Sequence, residues 1–470
     1  MKVNSILLYV HFFNEFREVL NVSVFCSQHS GPPGYDVRLK TTHGCGGLFF
    51  HLEFIGICFK ITIMENQKLY VVMVGLPARG KSTIANRLKE NLTKDSIKTR
   101  IFNNGALRRR LDLKNTSFAE FYDPKNTEGA ALRERIALMN LERANRYLAK
   151  HGQVAILDAT NVSIKRRNKI ISLLKGPPLL FIECINDDPE ILAASILRKI
   201  AHAEFNHFEK KAANQNFRRR IDYYKTIYTP VREGRNFIKL DSLNNQIMQE
   251  ELVDDIPYYD RIRDFLMTDS VKSLFLIRHG ETYFNLENRI GGDSDLTEGG
   301  KAQAKALAVY FKNKKIPVIF TSNKKRTIQT AEPIKELQEN STIIQFGEFN
   351  EIDSGICERM SYKEIREQMP DVHSARKQDK YNYIYPKGEG YISMKSRIDM
   401  GIKKALYLSS NSDNIMIVGH QAVNRMILSH FLYRRPEDVP YIYIPQDKFY
   451  HIVATQDKKL FQLKKYNISL

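Results

Sequence analysis

The fold of the C-terminal half is decided by the stretch Ser273-Leu-Phe-Leu-Ile-Arg-His-Gly-Glu281. Its apolar run stops abruptly at Arg278 and His279, a pattern typical of a buried parallel strand that delivers polar side chains to the carboxyl edge of a sheet. Open α/β sheets bind their ligands at that edge. A neutral imidazole is a nucleophile near physiological pH, and a neighbouring cation stabilises phosphoryl oxygens. The pair therefore suits covalent transfer of a phosphoryl group to His279, although a polar turn after a strand explains the stretch equally well on its own.

A second strand ends in the same way, at Ile415-Met-Ile-Val-Gly-His420. Between the two strands, Val318-Ile-Phe-Thr-Ser322 is followed by Arg326 at the start of a predicted helix, and Glu351 lies in an acidic turn. A nucleophile, a second and cationic histidine, two arginines and a proton donor are the groups that phosphomonoester hydrolysis through a phosphohistidine requires. The C-terminal half therefore predicts a phosphoryl-transfer site.

The N-terminal half carries an independent signal, in which the β-rich run Lys68-Leu-Tyr-Val-Val-Met-Val74 leads into Gly75-Leu-Pro-Ala-Arg-Gly-Lys-Ser82 and then a helical pattern. This is the context that a P-loop requires. Its glycines let backbone N–H groups surround phosphate oxygens, its lysine reaches the outer phosphates, and its serine ligates magnesium. The predicted nucleotide-binding residues are Gly75, Ala78, Arg79, Gly80, Lys81, Ser82 and Thr83. A further strand, Val154-Ala-Ile-Leu-Asp158, ends in the carboxylate expected on the magnesium side, so Ser82 and Asp158 are the predicted metal ligands.

Length, composition and net charge limit the number of domains, the state of the cysteines and the class of ligand. A chain of 470 residues with 43% apolar content fills two cores, so we expect two domains. There is no run of eighteen apolar residues to predict a transmembrane helix. The five scattered cysteines give no disulfide framework, and Cys184 and Cys357 are expected to be reduced thiols in the cytosol. The net charge of +19 fits nucleic acid, an anionic membrane or clefts that gather phosphorylated small molecules, and does not choose between them.

These motifs together resemble known families. The histidine-bearing strands, with Leu296-Thr-Glu-Gly299 and the stretch 321–331 between them, resemble the histidine phosphatase superfamily. A P-loop domain with Asp158-Ala-Thr-Asn161 ahead of such a domain resembles the bifunctional 6-phosphofructo-2-kinase/fructose-2,6-bisphosphatase family over residues 64–470, in a phosphatase-dominant form. The resemblance implies a kinase that uses ATP with Mg²⁺ to make fructose 2,6-bisphosphate from fructose 6-phosphate. It also implies a phosphatase that removes the 2-phosphate and needs no cofactor.

The resemblance further implies roles for individual residues. His279 would be the nucleophile, and Glu351 the acid and then the base. The other implied catalytic residues are Arg278, Arg326 and His420, with Asp158 in the kinase half. The implied substrate-binding residues are Asn285, Gly291, Tyr362, Arg376, Lys380, Tyr391, Gln421 and Arg425 in the phosphatase half, and Arg108, Thr160, Arg220 and Tyr224 in the kinase half.

Departures from the family pattern fall mostly in the kinase half. Leu107 stands where the family has a tyrosine, His202-Ala-Glu-Phe205 replaces the family's Ser-Pro-Asp-Tyr, and the lysine expected before it is out of register at Lys199. In the phosphatase half, Ile384 replaces a usual arginine. Loss of one positioning contact slows phosphoryl transfer, so we expect ATP to bind while the kinase is the weaker activity.

The predicted fold is α/β throughout. A P-loop-NTPase-like parallel sheet domain is expected over 64–268, and a three-layer α/β histidine phosphatase domain of phosphoglycerate mutase-like type over 269–470, with a partly helical linker near 240–270. Residues 1–63 carry no motif, and the first strand is expected after Met64, a plausible start. We therefore expect this N-terminal extension not to be native, the alternative being an added edge element. The protein is expected in the cytoplasm with small-molecule substrates and no nucleic-acid or membrane partner, and a homodimer is left open.

Two other functions stay open at this point. A polynucleotide end-processing enzyme also joins a P-loop kinase to a phosphatase and agrees with the basic charge, although the sequence shows no basic strand interleaved with stacking aromatic residues. A non-catalytic P-loop regulator is the other alternative. The complete set of nucleophile, acid and arginines argues against it.

Overall fold

The computed structural model describes residues 6–7, 22–27, 36–41, 67–111, 115–232, 236–409, 412–432, 435–455 and 458–467. The chain divides into two compact units, residues 1–64 and 65–470. In the first unit the strands β1 (Ile6–Leu7), β2 (Val22–Ser27) and β3 (Asp36–Thr41) pair antiparallel in that order. The expectation that the first strand follows Met64 is therefore wrong. The proposed start at Met64 itself lies outside the described residues.

The second unit contains two six-stranded sheets. The strands of the first sheet are β4 (Leu69–Val74), β5 (Thr99–Asn103), β6 (Val154–Asp158), β7 (Leu179–Ile185), β8 (Phe237–Asp241) and β9 (Gln246–Glu251). They lie in the order β5-β6-β4-β7-β8-β9, and all pairs are parallel except the last, between β8 and β9. The helices of this half are α1 (Lys81–Lys94), α2 (Asn104–Arg110), α3 (Thr127–Lys150), α4 (Ile164–Leu173), α5 (Pro189–Ile200), α6 (Lys210–Thr226) and α7 (Tyr259–Met267).

The second sheet has the same layered plan. Its strands are β10 (Val271–Arg278), β11 (Val318–Thr321), β12 (Thr342–Gln345), β13 (Ile415–Gly419), β14 (Lys448–Ala454) and β15 (Lys459–Lys465), in the order β12-β11-β13-β10-β14-β15. The first four strands in that order are parallel, and β14 and β15 are antiparallel. The helices are α8 (Tyr283–Leu286), α9 (Glu298–Phe311), α10 (Lys325–Glu336), α11 (Tyr362–Gln368), α12 (Pro370–Gln378), α13 (Tyr391–Leu408) and α14 (Gln421–Phe431).

Both central strands are buried on their two faces. In β4, Leu69, Val71 and Met73 pack into one hydrophobic cluster while the residues between them pack into another. In β10, Leu274 and Phe275 likewise face opposite clusters. Successive side chains of a strand point to opposite faces, so an unbroken apolar run needs a helical layer on each side. The predicted pair of three-layer α/β folds is confirmed.

The predicted linker near 240–270 is only partly a linker. Its first part belongs to β8 and β9, which pair as the edge hairpin of the first sheet, and only α7 matches the expected helix. The hairpin turns at Asn244 and Asn245, and Asn245 has a φ of 49°. Asparagine tolerates this left-handed conformation, so the Asn-Asn pair is the turn signal that the linker interpretation missed.

Candidate active sites

The P-loop turns sharply from β4 into α1. Gly75 has a φ of +137°, and a Cβ there would lie 2.5 Å from the carbonyl oxygen of Cys184, so only glycine fits. Ala78 and Gly80 have φ values of 63° and 82°, and α1 begins directly afterwards at Lys81. The loop therefore presents successive backbone N–H groups at a helix N-terminus, the arrangement that binds phosphate.

Lys81 and Asp158 lie side by side beneath this loop. The Nζ of Lys81 donates a hydrogen bond of 2.6 Å to the carbonyl of Leu76. Burial lowers the pKa of Lys81 to about 8, although the charge of Asp158 acts in the opposite direction. Asp158 ends β6, is 4% exposed and accepts a hydrogen bond from the Nδ2 of Asn103 on the neighbouring strand. A lysine and a carboxylate thus face one buried position.

These groups fit a magnesium–nucleotide ligand. The Nη1 of Arg79 is buried without a hydrogen-bond partner, so the loop holds an unused cationic donor. Ser82 and Thr83 lie in the first turn of α1. Magnesium keeps several waters and needs only one or two protein ligands, so Ser82 with Asp158 is a sufficient set. Within the described ranges, there is no cluster of three or more His, Cys, Asp or Glu side chains that could hold a metal ion.

The other predicted kinase residues surround the same edge of the sheet. Arg108 pairs with Glu204 and donates to the hydroxyl of Tyr122, so an acidic residue of the altered 202–205 stretch already neutralises it. The guanidinium of Arg220 lies 3.8 Å from the centre of the Tyr122 ring, and its buried Nε has no hydrogen-bond partner. The ring of Tyr224 is tilted by 48° against the same ring, with centroids 5.9 Å apart.

Two further residues lie close to the P-loop. The carbonyl of Thr160 accepts the N–H of Gly75 at 3.0 Å, and its predicted role in substrate binding stays a prediction. Lys199 is not lost from the site: burial lowers its pKa, and the charges of Asp158 and Arg220 act on it in opposite directions. Lys199 therefore joins the cations beside the P-loop, and its shifted position in the sequence does not remove it.

In the second half, His279 stands at the end of β10 beside β13. It is 4% exposed, and its Nδ1 donates a 2.8 Å hydrogen bond to the carbonyl of Gly280, which leaves Nε2 with a free lone pair. Burial and then the charges of Arg326 and Arg278 hold the pKa of His279 well below its usual value. A neutral imidazole with one fixed nitrogen is a nucleophile that needs no separate base.

His420 is fully buried behind this position, with its ring centre 5.3 Å from that of His279. The Nε of Arg326 donates to its Nδ1 at 3.2 Å, and its Nε2 lies 2.8 Å from the hydroxyl of Ser322. Burial and the charge of Arg326 hold the pKa of His420 well below its usual value. The prediction of a cationic second histidine is therefore wrong, because a nitrogen that accepts from a guanidinium carries no proton.

Glu351 is held at the N-terminus of α14. Its Oε2 accepts from the backbone N–H groups of Gln421 and Ala422 at 3.0 and 3.3 Å, and its Oε1 accepts from that of Ile352 at 3.0 Å. A carboxylate is favourably placed at a helix N-terminus. The carboxyl group is thereby fixed at the wall of the cavity that contains His279.

That cavity has a volume of about 530 Å³ and brings together nearly all the predicted residues of this half. Its walls include Arg278, His279, Asn285, Gly291, Arg326, Glu351, Tyr362, Arg376, Lys380, Tyr391, Gln421 and Arg425. Of the predicted set, His420 does not line the cavity and touches it only through its neighbours. The volume suits a small molecule.

The cavity has two cationic regions. Arg278 and Arg326 lie beside His279, and the buried Nε of Arg278 has no hydrogen-bond partner. In the other region, Arg425 donates to the hydroxyl of Tyr391 at 3.0 Å. Burial, followed by the charges of Arg425 and Arg376, lowers the pKa of Lys380 to about 8. Cations crowded without matching acids are a site for a second anionic group.

Sequence reasoning missed several polar residues that line this cavity, among them Gln446. The Nε2 of Gln446 donates to the Oδ1 of Asn285 at 2.9 Å and lies 3.3 Å from the carbonyl of His279. Gln446 belongs to no motif and lies 161 positions from Asn285, so no sequence signal could have found it. Thr330 lies within the matched stretch 321–331 but was given no role, and its hydroxyl accepts the N–H of Gly280 at 3.0 Å.

Each half thus carries its own phosphoryl-transfer machinery, and the chain is of the class that joins a P-loop kinase to a histidine phosphatase. The family model for 6-phosphofructo-2-kinase matches residues 58–273, and the one for the histidine phosphatase superfamily (branch 1) matches residues 274–469. The chain belongs to the bifunctional 6-phosphofructo-2-kinase/fructose-2,6-bisphosphatase family.

Relatives support this assignment along most of the chain. A 6-phosphofructo-2-kinase/fructose-2,6-bisphosphatase 1 of Rattus norvegicus is 37% identical over 393 residues, which cover 81% of this chain and 80% of the relative. A form 4 enzyme of Homo sapiens is 36% identical over 400 residues, 83% of each chain. A solved putative α-ribazole-5′-phosphate phosphatase of Escherichia coli covers 42% of this chain and 97% of its own, at 23% identity and a TM-score of 0.39. Among the residues described here, no helix is long and apolar enough to cross a membrane.

Proposed function

We propose that the chain both makes and hydrolyses fructose 2,6-bisphosphate. The C-terminal half would hydrolyse it to fructose 6-phosphate and phosphate, and the N-terminal half would synthesise it from ATP and fructose 6-phosphate, in control of glycolysis and gluconeogenesis. The observation that carries the proposal is the cavity in which a neutral histidine nucleophile lies beside Arg278 and Arg326 and whose walls also carry a second group of cations. A bisphosphate is the ligand with two separate anionic groups.

In the proposed phosphatase reaction, the Nε2 of His279 attacks the phosphorus of the 2-phosphate. The N–P bond forms as the bond between phosphorus and the C2 oxygen breaks, and the carboxylic acid of Glu351 gives its proton to that leaving oxygen. Glu351, now ionised, takes a proton from the water that attacks the phosphohistidine, which releases phosphate and restores His279. Arg278 and Arg326 stabilise the negative charge on the transferred group, with Asn285 and Gln421 as the other phosphate-holding residues, and His420 acts through Arg326.

The rest of the sugar phosphate would lie in the second cationic region. Arg376, Lys380 and Arg425 supply charge for the 6-phosphate, and Tyr362 and Tyr391 supply aromatic rings and hydroxyls along the same wall. Gly291 has a φ of +66° and brings backbone close to the cavity. Binding energy from this remote phosphate would orient the 2-phosphate for attack.

In the kinase half, Lys81 and the P-loop N–H groups would hold the triphosphate of ATP, and Ser82 and Asp158 would hold its Mg²⁺. When bound, that ion neutralises charge developing between the outer phosphates. Lys199 and Arg220 supply positive charge for fructose 6-phosphate. Arg108 is already paired with Glu204 and Leu107 is buried and apolar, so we still expect the kinase to be the weaker activity.

The family assignment favours sugar phosphates over the ends of polynucleotides, and the complete cavity favours an enzyme over a non-catalytic regulator. No nucleic-acid or membrane partner is part of the proposal, and a homodimer is compatible with it. A cytoplasmic location is part of it, because ATP and fructose 6-phosphate must both reach the protein.

The test measures both activities of the purified protein, phosphate release from fructose 2,6-bisphosphate and its synthesis from ATP and fructose 6-phosphate. We expect His279→Ala to lose at least about a thousandfold in hydrolysis because the covalent route disappears, with ATP affinity unchanged. His373→Ala, a histidine of the same half that does not line the cavity, is the control. Labelled substrate should leave acid-labile phosphate on His279. Acid-stable phosphate on serine or aspartate would contradict the mechanism.

A further inference from the structure

A helix of the phosphatase half reaches the P-loop of the kinase half. Tyr407, in the last turn of α13, is 7% exposed, and its hydroxyl lies 3.5 Å from the carbonyl oxygen of Ala78. A Cβ on Gly80 would lie 3.1 Å from both the ring edge and the hydroxyl of Tyr407, so the ring packs directly against the loop. The two residues of the hydrogen-bonded pair are 329 positions apart in the chain.

A second hydroxyl contacts the next carbonyl of the loop. The Oγ of Ser242, just after β8, lies 3.0 Å from the carbonyl oxygen of Arg79 and 3.2 Å from that of Ile185, and its single O–H donates to one of these two acceptors. The successive carbonyls of Ala78 and Arg79 therefore each face a hydroxyl group that lies outside the loop, at 3.5 and 3.0 Å. Neither hydroxyl belongs to the P-loop itself.

Anchoring a carbonyl also orients the N–H of the following residue. In a trans peptide the C=O and the next N–H point in opposite directions within one plane. Holding the carbonyls of Ala78 and Arg79 outward therefore turns the N–H groups of Arg79 and Gly80 inward, towards the space that the loop encloses. Those inward N–H groups are the phosphate donors of a P-loop.

The end of α13 is fixed to the kinase half by further contacts. Lys404 bridges Glu190 of α5 and Glu348 of the phosphatase half, with both distances 2.6 Å. Arg198 of α5 donates to the carbonyl of Leu408. Tyr407 also packs in one hydrophobic cluster with Ile191 and Leu243 of the kinase half. These contacts between the two halves therefore determine the position of the Tyr407 hydroxyl.

We propose that Tyr407 and Ser242 are positioning residues for the nucleotide, so that the phosphatase half completes the ATP-binding loop of the kinase half. They act by holding the loop carbonyls outward, without touching ATP. The inference rests on the proposed kinase function. It adds that the affinity of the loop for a triphosphate depends on one hydroxyl of the other half.

The test uses the full chain with Tyr407→Phe, which removes that hydroxyl and keeps the ring. Affinities for ATP and for inorganic tripolyphosphate, each with Mg²⁺, are measured without fructose 6-phosphate. We expect both to weaken by about threefold to tenfold, the effect of one lost hydrogen bond. Ser242→Ala should give a similar loss. The kcat and KM for fructose 2,6-bisphosphate hydrolysis should stay within about twofold in Tyr407→Phe, because Tyr407 does not line that cavity.

Tyr450→Phe is the matched control, since it removes a hydroxyl that donates to the carbonyl of Tyr443 at 2.8 Å in the phosphatase half. It should bind ATP as the unsubstituted protein does. Unchanged affinity in Tyr407→Phe overturns the inference, as does an equal loss in Tyr450→Phe or a loss for ATP without one for tripolyphosphate. If the unsubstituted protein binds no ATP, the proposed kinase function itself fails and the inference falls with it.

Discussion

At the scale of single residues, burial determines the chemistry of the two histidines in the phosphatase cavity. His279 and His420 are both buried near Arg326, and a protonated imidazole there would add a charge with little water to solvate it. The neutral form is therefore favoured in both. In this form His279 can act as the proposed nucleophile, and His420 accepts a hydrogen bond from the guanidinium of Arg326.

Hydrogen bonds from two neighbouring residues orient the side-chain amide of Asn285. Its Oδ1 accepts from the N–H of Thr282 at 3.1 Å and from Gln446 at 2.9 Å. Two donors aimed at one side-chain atom require that atom to be the oxygen. The amide nitrogen of Asn285 is thereby kept free to donate to a phosphoryl group.

We expect Gln446→Leu to lower kcat/KM for fructose 2,6-bisphosphate by about tenfold, because Asn285 loses one of the two donors that fix its amide. Steady-state kinetics on the full chain measures this. In the double variant Gln446→Leu/Asn285→Ala the loss should be no greater than in Asn285→Ala alone, since Gln446 acts through Asn285. Additive losses would show that Gln446 contributes independently.

At the scale of secondary-structure elements, α13 contacts both candidate sites. Its first residue, Tyr391, lines the phosphatase cavity, and Tyr407 near its end packs on the P-loop. Helix α14 is tied to it through His430, whose Nδ1 lies 3.1 Å from Asp399 of α13 and whose Nε2 lies 3.4 Å from Asp269, which precedes β10. These ion pairs join three segments of the phosphatase half.

The His430 cluster predicts a specific pH dependence of stability. Burial disfavours the charged imidazole, but the hydrogen bonds and charges of Asp269 and Asp399 outweigh it and raise the pKa of His430 to about 9. A pKa raised in the folded state gives stability that is complete below the unfolded value of about 6.5 and is lost as the pH rises through about 9. We therefore expect His430→Gln to lower the denaturant midpoint more at pH 7 than at pH 9.5.

Urea unfolding of both proteins at the two pH values provides the measurement, with His373→Gln as the control for a histidine outside this cluster. Both pH values lie above the pKa of about 6.5 that a histidine has in the unfolded chain. The buried neutral histidines of the cavity therefore contribute equally to the two comparisons. If His430→Gln lowers the urea midpoint equally at both pH values, or more at pH 9.5, the result would contradict a charged His430.

At the scale of the whole molecule, part of the positive charge lies around the two candidate ligand sites. The net charge of +19 includes cations gathered around two ligand sites, with Arg278, Arg326 and Lys380 in one cavity and Lys81 and Lys199 in the other site. Clustered cations raise the local concentration of anionic substrates. The overall charge therefore agrees with phosphorylated small molecules as substrates.

The N-terminal unit should be dispensable for hydrolysis. Residues 1–64 form a compact unit of their own, and no predicted site residue lies among them. Deleting residues 1–63 is expected to leave phosphatase kcat/KM within about twofold, because the sheet that carries His279 is built entirely from later residues. Phosphate release and solubility of the two proteins are compared. Loss of either would show that the extension covers an edge of the second unit.

The sequence by itself determined the α/β class of both halves and the strands that carry the site motifs, but not the β8–β9 hairpin. Apolar runs that end in Gly75, Asp158, His279 or His420 can be recognised locally, because strand periodicity and loop chemistry depend on neighbouring residues. The tertiary structure alone decided that His420 is neutral, that Gln446 holds Asn285, and that Tyr407 contacts the P-loop. Burial, and contacts such as the one between Tyr407 and Ala78 across 329 positions, arise only when distant elements pack together, and no local pattern records them.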